Sequence, residues 1–479
     1  MSGGAVLIGW ARVNRFEGEP LAAWAEALRR TGVDPAAIDS LDVVHCQSWP
    51  YDDPPGRLAE SVGATPRRTH YSGIGGTTPF ELLGRAAGRI AAGEADVCAV
   101  VGGEALATKR ALRRAGERPQ WSHRHPDPPP FPFEAPFHDS EVAHGVFRAT
   151  TTFALRDVSR RAHLGTTVED HERSIGELLA PMTEVAARNP AAWFPQRRRP
   201  GELVGASPGN RMVAYPYRKL TVAIMDVDQA AALVVASPAA ADRLGIPVDQ
   251  RVAVRGWAEA RDPDYVAEHP DLWRAPGMGD ALAGALAHAG VGIDDVAHLD
   301  LYSCFASSVT FSLDALGLTP DDARGPFTVT GGLPYAGGPG SGYGLASTAA
   351  MADVLVADPR SVGLVTGVGM HLSKHAAVVL STTPGAHGER PGVAPAVRRP
   401  VLDEVDGPAV VAGYTVHHDR DGSATDALLV CDVGGDGAGG EGRCYARATD
   451  PGFLSALEAE EWVGRRVTLA PEAGVNVVR

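Results

Sequence analysis

Five cysteines, 16 histidines and one glycine-rich loop are where reactive chemistry could reside in these 479 residues. Cys304 lies in "HLDLYSCFASSV", where an apolar strand-like run gives way to the start of a helix. Helix-terminal N–H groups favour a thiolate, so the position suits a nucleophile. It equally suits a small buried packing residue. His371 and His375 in "GMHLSKHAAVV" share one face of a strand, or are i,i+4 neighbours on a helix, and either could act as a base. Lys374 between them could meet a phosphate, although a lysine in such a turn is expected in solvent. The stretch "GGLPYAGGPGSGYG" (331–344) has neither Gly-Lys-Ser/Thr nor a strict Gly-x-Gly-x-x-Gly, which argues against a nucleotide loop. Its glycines allow close backbone approach to a ligand or a facing segment, and the helix beginning near Gly344 offers N–H groups to an acceptor oxygen. The cysteines at 46, 98, 304, 431 and 444 form no Cys-x-x-Cys pair, and there is no His-Glu-x-x-His. "HRH" (123–125) and "HHD" (417–419) read as loop and strand-end residues, so no metal is expected.

The elements holding these groups must come from more than one core, because the chain is too long for a single one. A formal charge of −14 argues against nucleic acid or an anionic membrane as the main partner. No run approaches the length of a membrane span, and "MSGGAVLIGWARVNRF" lacks a basic stretch before its apolar part, so it reads as a first strand. Scattered, odd-numbered cysteines fit free thiols in a cytoplasmic setting.

An internal repeat organises the rest. Residues 23–46, "AWAEALRRTGVDPAAIDSLDVVHC", lie without a gap on 281–304, "ALAGALAHAGVGIDDVAHLDLYSC". Nine of the 24 positions are identical, among them Leu41, Asp42 and Cys46, each 258 residues before its counterpart. Both copies read as an amphipathic helix, a glycine stop, an acidic turn and a strand. A second pair, 86–104 and 349–369, repeats helix, turn and an apolar strand ending at glycine. Two α/β halves imply two related sheets with helices around and between them, and a site near the carboxyl ends of the strands. Those ends carry His45-Cys46, Gly102-Gly103-Glu104, Tyr302-Ser303-Cys304 and Gly367-Val368-Gly369.

The expected divisions are a first half over 1–250 containing a long insertion (106–218), a second half over 251–383, and a separate unit over 395–479. The insertion holds a Pro-rich extended stretch (125–137) and helical segments such as 145–163. "MDVDQAAALVVAS" (225–237) should return to the first half as a strand. After the linker "PGAHGERPGVAPAVRRP" (384–400), five short alternating segments and one helix predict a small β-barrel.

With "AAGEADVCAVVGGE", "GGLPYAGGPGSGYG", "VTGVGM", "NPAAWFP" and "NRMVAYPYRKL" in this order, the chain resembles the thiolase superfamily. The likeness is to sterol-carrier-protein-type thiolases and to the type 1 group of thiolase-like proteins, which carries an additional C-terminal domain. The resemblance implies an α/β thiolase fold: a duplicated five-layer αβαβα core with an appended OB-like β-barrel. It implies an acyl-CoA or other acyl thioester as substrate or ligand, no separate cofactor, lipid metabolism, a nominal acetyl-CoA acetyltransferase class, and a monomer or homodimer.

Carried over residue by residue, the family's acyl-accepting cysteine falls near Gly76, its Gly-His-Pro histidine on Gly338, and its second cysteine near Val365 or Thr366. Gly367 and Gly369 belong to the terminal glycine turn. None of the three key positions keeps its reactive group, so acyl-cysteine chemistry is not expected. Cys304 takes a place that is not acylated in the sterol-carrier type. The related aldolases of steroid side-chain breakdown also lack the cysteine chemistry, work with a separate OB-fold partner, and place tyrosines where this chain has Tyr302 and Tyr343. A phenol that is paired, or whose pKa is lowered, can move a proton at a β-hydroxyl or an enolate. Three functions remain open: C–C cleavage with Tyr302 and Tyr343, non-catalytic thioester binding, or acyl transfer with His371 or His375 as base.

Overall fold

The computed structural model describes residues 4–128, 137–389, 391–392, 395–434 and 442–479. Residues 129–136 of the Pro-rich stretch and 390, 393 and 394 of the linker lie outside the described residues.

The first half contributes β1 (Val6–Asn14), β2 (Ser40–Val43), β3 (Arg68–Tyr71) and β4 (Val97–Ala105). The insertion adds a hairpin, β5 (Met212–Ala214) and β6 (Tyr217–Arg218), before β7 (Asp228–Ala236) completes that half. The second half contains β8 (Val252–Arg261), β9 (His298–Asp300), β10 (Val362–Gly369) and β11 (Lys374–Ser381). The C-terminal part holds β12 (Gly407–His418), β13 (Ala424–Val433), β14 (Gly442–Ala448), β15 (Arg466–Glu472) and β16 (Val475–Val478).

The duplication is carried into the elements. β9 starts at His298, 258 residues after the start of β2 at Ser40. Helix Tyr343–Ala357 and β10 each start 265 residues after helix Thr78–Ala91 and β4. A short insertion therefore separates the two registers without disturbing either. The expected pair of separate sheets is corrected to one mixed nine-stranded sheet, ordered β3-β2-β4-β7-β1-β8-β11-β10-β9. Its two halves are joined by the short β1–β8 ladder, Val6↔Ala253 and Leu7↔Val252.

Three apolar clusters cover the sheet. Helices Pro20–Arg30 and Pro54–Val62 seal one face of the first half through Trp24, Leu28 and Leu58. Helices Pro276–Ala289 and Ala306–Leu316 seal one face of the second through Leu282, Val309 and Phe311. Helices Thr78–Ala91 and Tyr343–Ala357 share the remaining cluster, where Phe80, Leu83, Leu345 and Met351 meet strand residues of both halves. Burying apolar residues at every turn of that last helix explains why it carries no polar stripe.

In the C-terminal part, β12-β13-β14-β16-β15 closes back on β12 as a five-stranded barrel, as the alternating pattern predicted. The insertion's hairpin adds to it through His417↔Ala214, extending the sheet to seven strands. The segment "NRMVAYPYRKL" thus carries strands of the insertion into the barrel's sheet. Among the described residues no helix is long and apolar enough to cross a membrane, and no group of three ligating side chains could hold a metal ion.

Candidate active site

The elements converge where helix Thr78–Ala91 points its N-terminus at the ends of β9 and β10. The backbone around Gly76 leaves no room for a side chain. A Cβ there would lie 2.6 Å from Tyr302 Cζ, and closer still to its hydroxyl and to the Val368 carbonyl. A Cβ at Gly367 would be 2.7 Å from the Gly76 carbonyl, and one at Gly369 3.6 Å from the Gly76 amide. Gly76, Gly367, Gly369 and Tyr302 therefore come together, and the Tyr302 phenol fills the space that a side chain at 76 would use.

Tyr302 is held by its backbone: its N–H donates to Thr366 Oγ1 (2.8 Å) and its carbonyl accepts from Ser308 Oγ (2.5 Å). Its ring meets Tyr343 edge-on, with centroids 5.6 Å apart. Tyr343 begins helix Tyr343–Ala357 and donates its hydroxyl to Asp300 Oδ1 (2.9 Å), with Thr330 Oγ1 at 2.7 Å. Asp300 is fully buried and also accepts from Thr328 Oγ1 and the Val329 amide, both at 2.9 Å. Burial raises the Asp300 pKa, partly opposed by these hydrogen bonds. Burial pushes both phenols up, with the nearby Asp300 charge adding to the effect on Tyr343. Both tyrosines are thus protonated donors at neutral pH, not bases. Asp300 was not singled out in the sequence, although its identity with Asp42 in the repeat was a usable signal. Asp42 is buried at the matching strand end and pairs with Arg89.

Cys304 sits beside Tyr302 with its thiol pushed up to about 12 by burial, a protonated group at neutral pH. Its counterpart Cys46 contacts the buried carboxylate of Glu104 (3.6 Å), and burial raises both of their pKa values. Glu104 in turn accepts from the Gln47 and Ser48 amides, at 2.7 and 2.8 Å.

The remaining candidates have other partners. Gly338 donates its amide to the Ile224 carbonyl (3.0 Å), and a Cβ there would face Leu333 at 3.2 Å. The two readings of the histidine pair give way to a third: His371 lies in the turn between β10 and β11, and His375 is the second residue of β11. His375 Nε2 bonds Asp262 Oδ2 (2.9 Å) within the core, while His371 Nδ1 lies 3.0 Å from Thr152 Oγ1. Burial acts to raise the Asp262 pKa, but the hydrogen bond from His375 and nearby positive charge bring it below its ordinary value. Lys374 is buried at the start of β11, which corrects the expectation of a solvated lysine. "HHD" is likewise partnered: His417 bonds Asp426 and His418 bonds Glu458.

Burial drives the His371 pKa from its ordinary 6.5 to about 4. Between these values the unfolded chain binds a proton that the folded chain refuses. Stability is therefore complete above pH 6.5 and falls as pH drops toward 4, by roughly 3 kcal/mol. Urea denaturation at pH 7.5 and 4.5 should show a smaller acid loss for His371→Asn than for the natural chain. Equal losses would refute this contribution.

With this geometry in place, comparison with solved structures gives a full-length match. A monomeric SCP2-thiolase-like protein type 1 from Mycobacterium smegmatis aligns over 100% of this chain and 99% of its own, with 28% identity and a TM-score of 0.86. The chain belongs to the thiolase superfamily. Two further structures share the thiolase-like fold. The Ltp2–ChsH2(DUF35) aldolase has a TM-score of 0.60 at 19% identity, over 79% of this chain and 98% of its own. Human mitochondrial 3-ketoacyl-CoA thiolase has a TM-score of 0.58 at 16% identity, over 80% of this chain and 99% of its own. No family model matches the chain, and no curated protein matches it by sequence. The likeness to the type 1 protein includes the barrel, whereas the other two leave about a fifth of this thiolase-superfamily chain uncovered.

Proposed function

We propose that this thiolase-like protein binds acyl thioesters such as acyl-CoA without forming an acyl-cysteine. One observation supports the reading: at Gly76, near which the resemblance puts the family's acyl-accepting residue, a side chain has no room and the Tyr302 phenol fills the space. Gly338 supplies no base, and burial keeps the Cys304 thiol protonated. The helix N-terminus at 76–78 and the Tyr302 hydroxyl remain as donors for a thioester carbonyl. We read the three helical layers and the two half-sheets as the five-layer core, bounded at 250 and 383. The closed barrel after 395 is read as OB-like, and the chain as a cytoplasmic monomer, like its type 1 relative in being monomeric.

A second reading, retro-aldol cleavage of β-hydroxyacyl-CoA, is favoured by the Tyr302–Tyr343 contact and the Asp300 pair behind it. Cleavage needs a base for the β-hydroxyl and an acid for the enolate carbon. The Tyr302 phenol suits the second role; for the first, Tyr343 acts as a relay, accepting the β-hydroxyl proton as it passes its own to Asp300, which is then the base.

Calorimetric titration with CoA and acyl-CoAs should show acyl-chain-dependent binding, while acetoacetyl-CoA with CoA yields no acetyl-CoA. No binding, or robust thiolysis, overturns the proposal. Cleavage of β-hydroxyacyl-CoA that is lost in Tyr302→Phe would establish the second reading instead.

A further inference from the structure

The turn at 370–373, between β10 and β11, is buried and strained at once. Loops run over protein surfaces, yet His371, Leu372 and Ser373 are all buried, and Leu372 belongs to the apolar cluster of the second half. Met370 and Leu372 hold φ at +54° and +63°, the left-handed region that crowds any side chain against its own backbone. Two such residues in one short turn persist only where the surroundings hold them.

The hold comes from the insertion. Thr152 Oγ1 lies 3.0 Å from His371 Nδ1, and Arg156 Nη1 donates to the Leu372 carbonyl (2.9 Å). Residues four apart share one helix face, so helix Ala149–Leu164 grips two successive residues of the turn. Arg156 is fully buried and is itself anchored, donating to the Leu272 and Arg274 carbonyls at 3.1 and 2.6 Å. From the other side, the Asp262 amide, just after β8, donates to the Ser373 carbonyl (2.9 Å).

The turn sets the end of β10, whose last residues lie against Gly76. The Val368 carbonyl stands where a Cβ at Gly76 would go. A Cβ at Gly369 would be 3.4 Å from Thr77 Oγ1 and 3.6 Å from the Gly76 amide. A change of φ at Met370 therefore turns these atoms relative to the start of helix Thr78–Ala91.

Resting on thioester binding beside Gly76, we propose that Thr152 and Arg156 are positioning residues for that binding: they hold the strained turn so that 367–369 stay set against Gly76.

Calorimetric titration with octanoyl-CoA, and hydrogen exchange in peptides containing Asp262 and Ser373, test it in the full chain. Thr152→Val keeps the side-chain shape and removes the hydroxyl, and should weaken binding and speed that exchange by about tenfold each. Arg156→Lys, whose ammonium cannot span three carbonyls, should act in the same direction. Met370→Gly added to Thr152→Val should recover most of the affinity and the slow exchange, because glycine holds a positive φ without steric cost. Loss of packing at Thr152 alone would not be recovered by a backbone change at 370. Circular dichroism identifies a variant that fails to fold, and the other then decides. A natural chain that binds no octanoyl-CoA overturns thioester binding, while the exchange rates still decide whether the helix holds the turn. Unchanged affinity in a folded Thr152→Val chain, or losses that Met370→Gly does not recover, would overturn the proposal.

Discussion

Arg161→Ala is expected to lower the unfolding free energy by about 3–5 kcal/mol, a large share of a typical domain's stability. Arg161 lies on helix Ala149–Leu164 with its side chain fully buried. Its guanidinium donates to Tyr215 Oη (2.6 Å), Tyr414 Oη (2.8 Å) and Glu461 Oε2 (3.0 Å). Tyr215 belongs to the insertion hairpin, Tyr414 to β12, and Glu461 to the segment before β15. One side chain therefore joins the insertion, the hairpin and two parts of the barrel. The two phenol rings stack nearly parallel, 6° apart, with the cation over both. Truncation leaves two buried phenols and a carboxylate without their donor, which costs more than the lost contacts alone. Arg161→Lys should recover only part, because an ammonium cannot reach three acceptors fixed in the fork geometry. Urea denaturation measures both, and a loss below about 1 kcal/mol for alanine would show that the barrel is held by its apolar contacts alone.

The second large effect concerns the site itself. Gly76→Cys puts a thiol where the proposed reading places the family's nucleophile, yet it is expected to destabilise the fold by about 1–3 kcal/mol and to acquire no acyl group from acetyl-CoA. The new Cβ meets Tyr302 and the Val368 carbonyl, so helix Thr78–Ala91 or the β10 turn must shift. Combining it with Tyr302→Ala should recover part of the stability, because one of the two obstacles is removed. Mass spectrometry after incubation reads acylation, and an acetyl adduct at position 76 in the single variant would show that the site tolerates the nucleophile. Thermal unfolding of the single and double variants reads the coupling between 76 and 302.

Much of the architecture was legible because duplication leaves local marks. Helix-glycine-strand patterns recur at a fixed offset, and Asp42/Asp300 and Cys46/Cys304 appear as pairs in the bare sequence. The barrel announced itself through period-two alternation over short segments. What stayed hidden depends on side chains distant in sequence. Nothing near Gly76 reveals that Tyr302 fills its space, and nothing near His375 names Asp262 as its partner. Lys374 showed the limit of local reading, because turn chemistry predicted solvent while pairing with β8 and β10 buried it.

By itself, then, the sequence determined the duplicated α/β plan and the barrel. These follow from periodicity and residue identity, which are local properties of the chain. Only the tertiary structure decided that the halves join in one sheet, that the insertion's hairpin extends the barrel, and that a phenol occupies the place beside Gly76. Each depends on packing between segments far apart in the chain, where shape and hydrogen-bond geometry choose the partner and no short pattern records the choice.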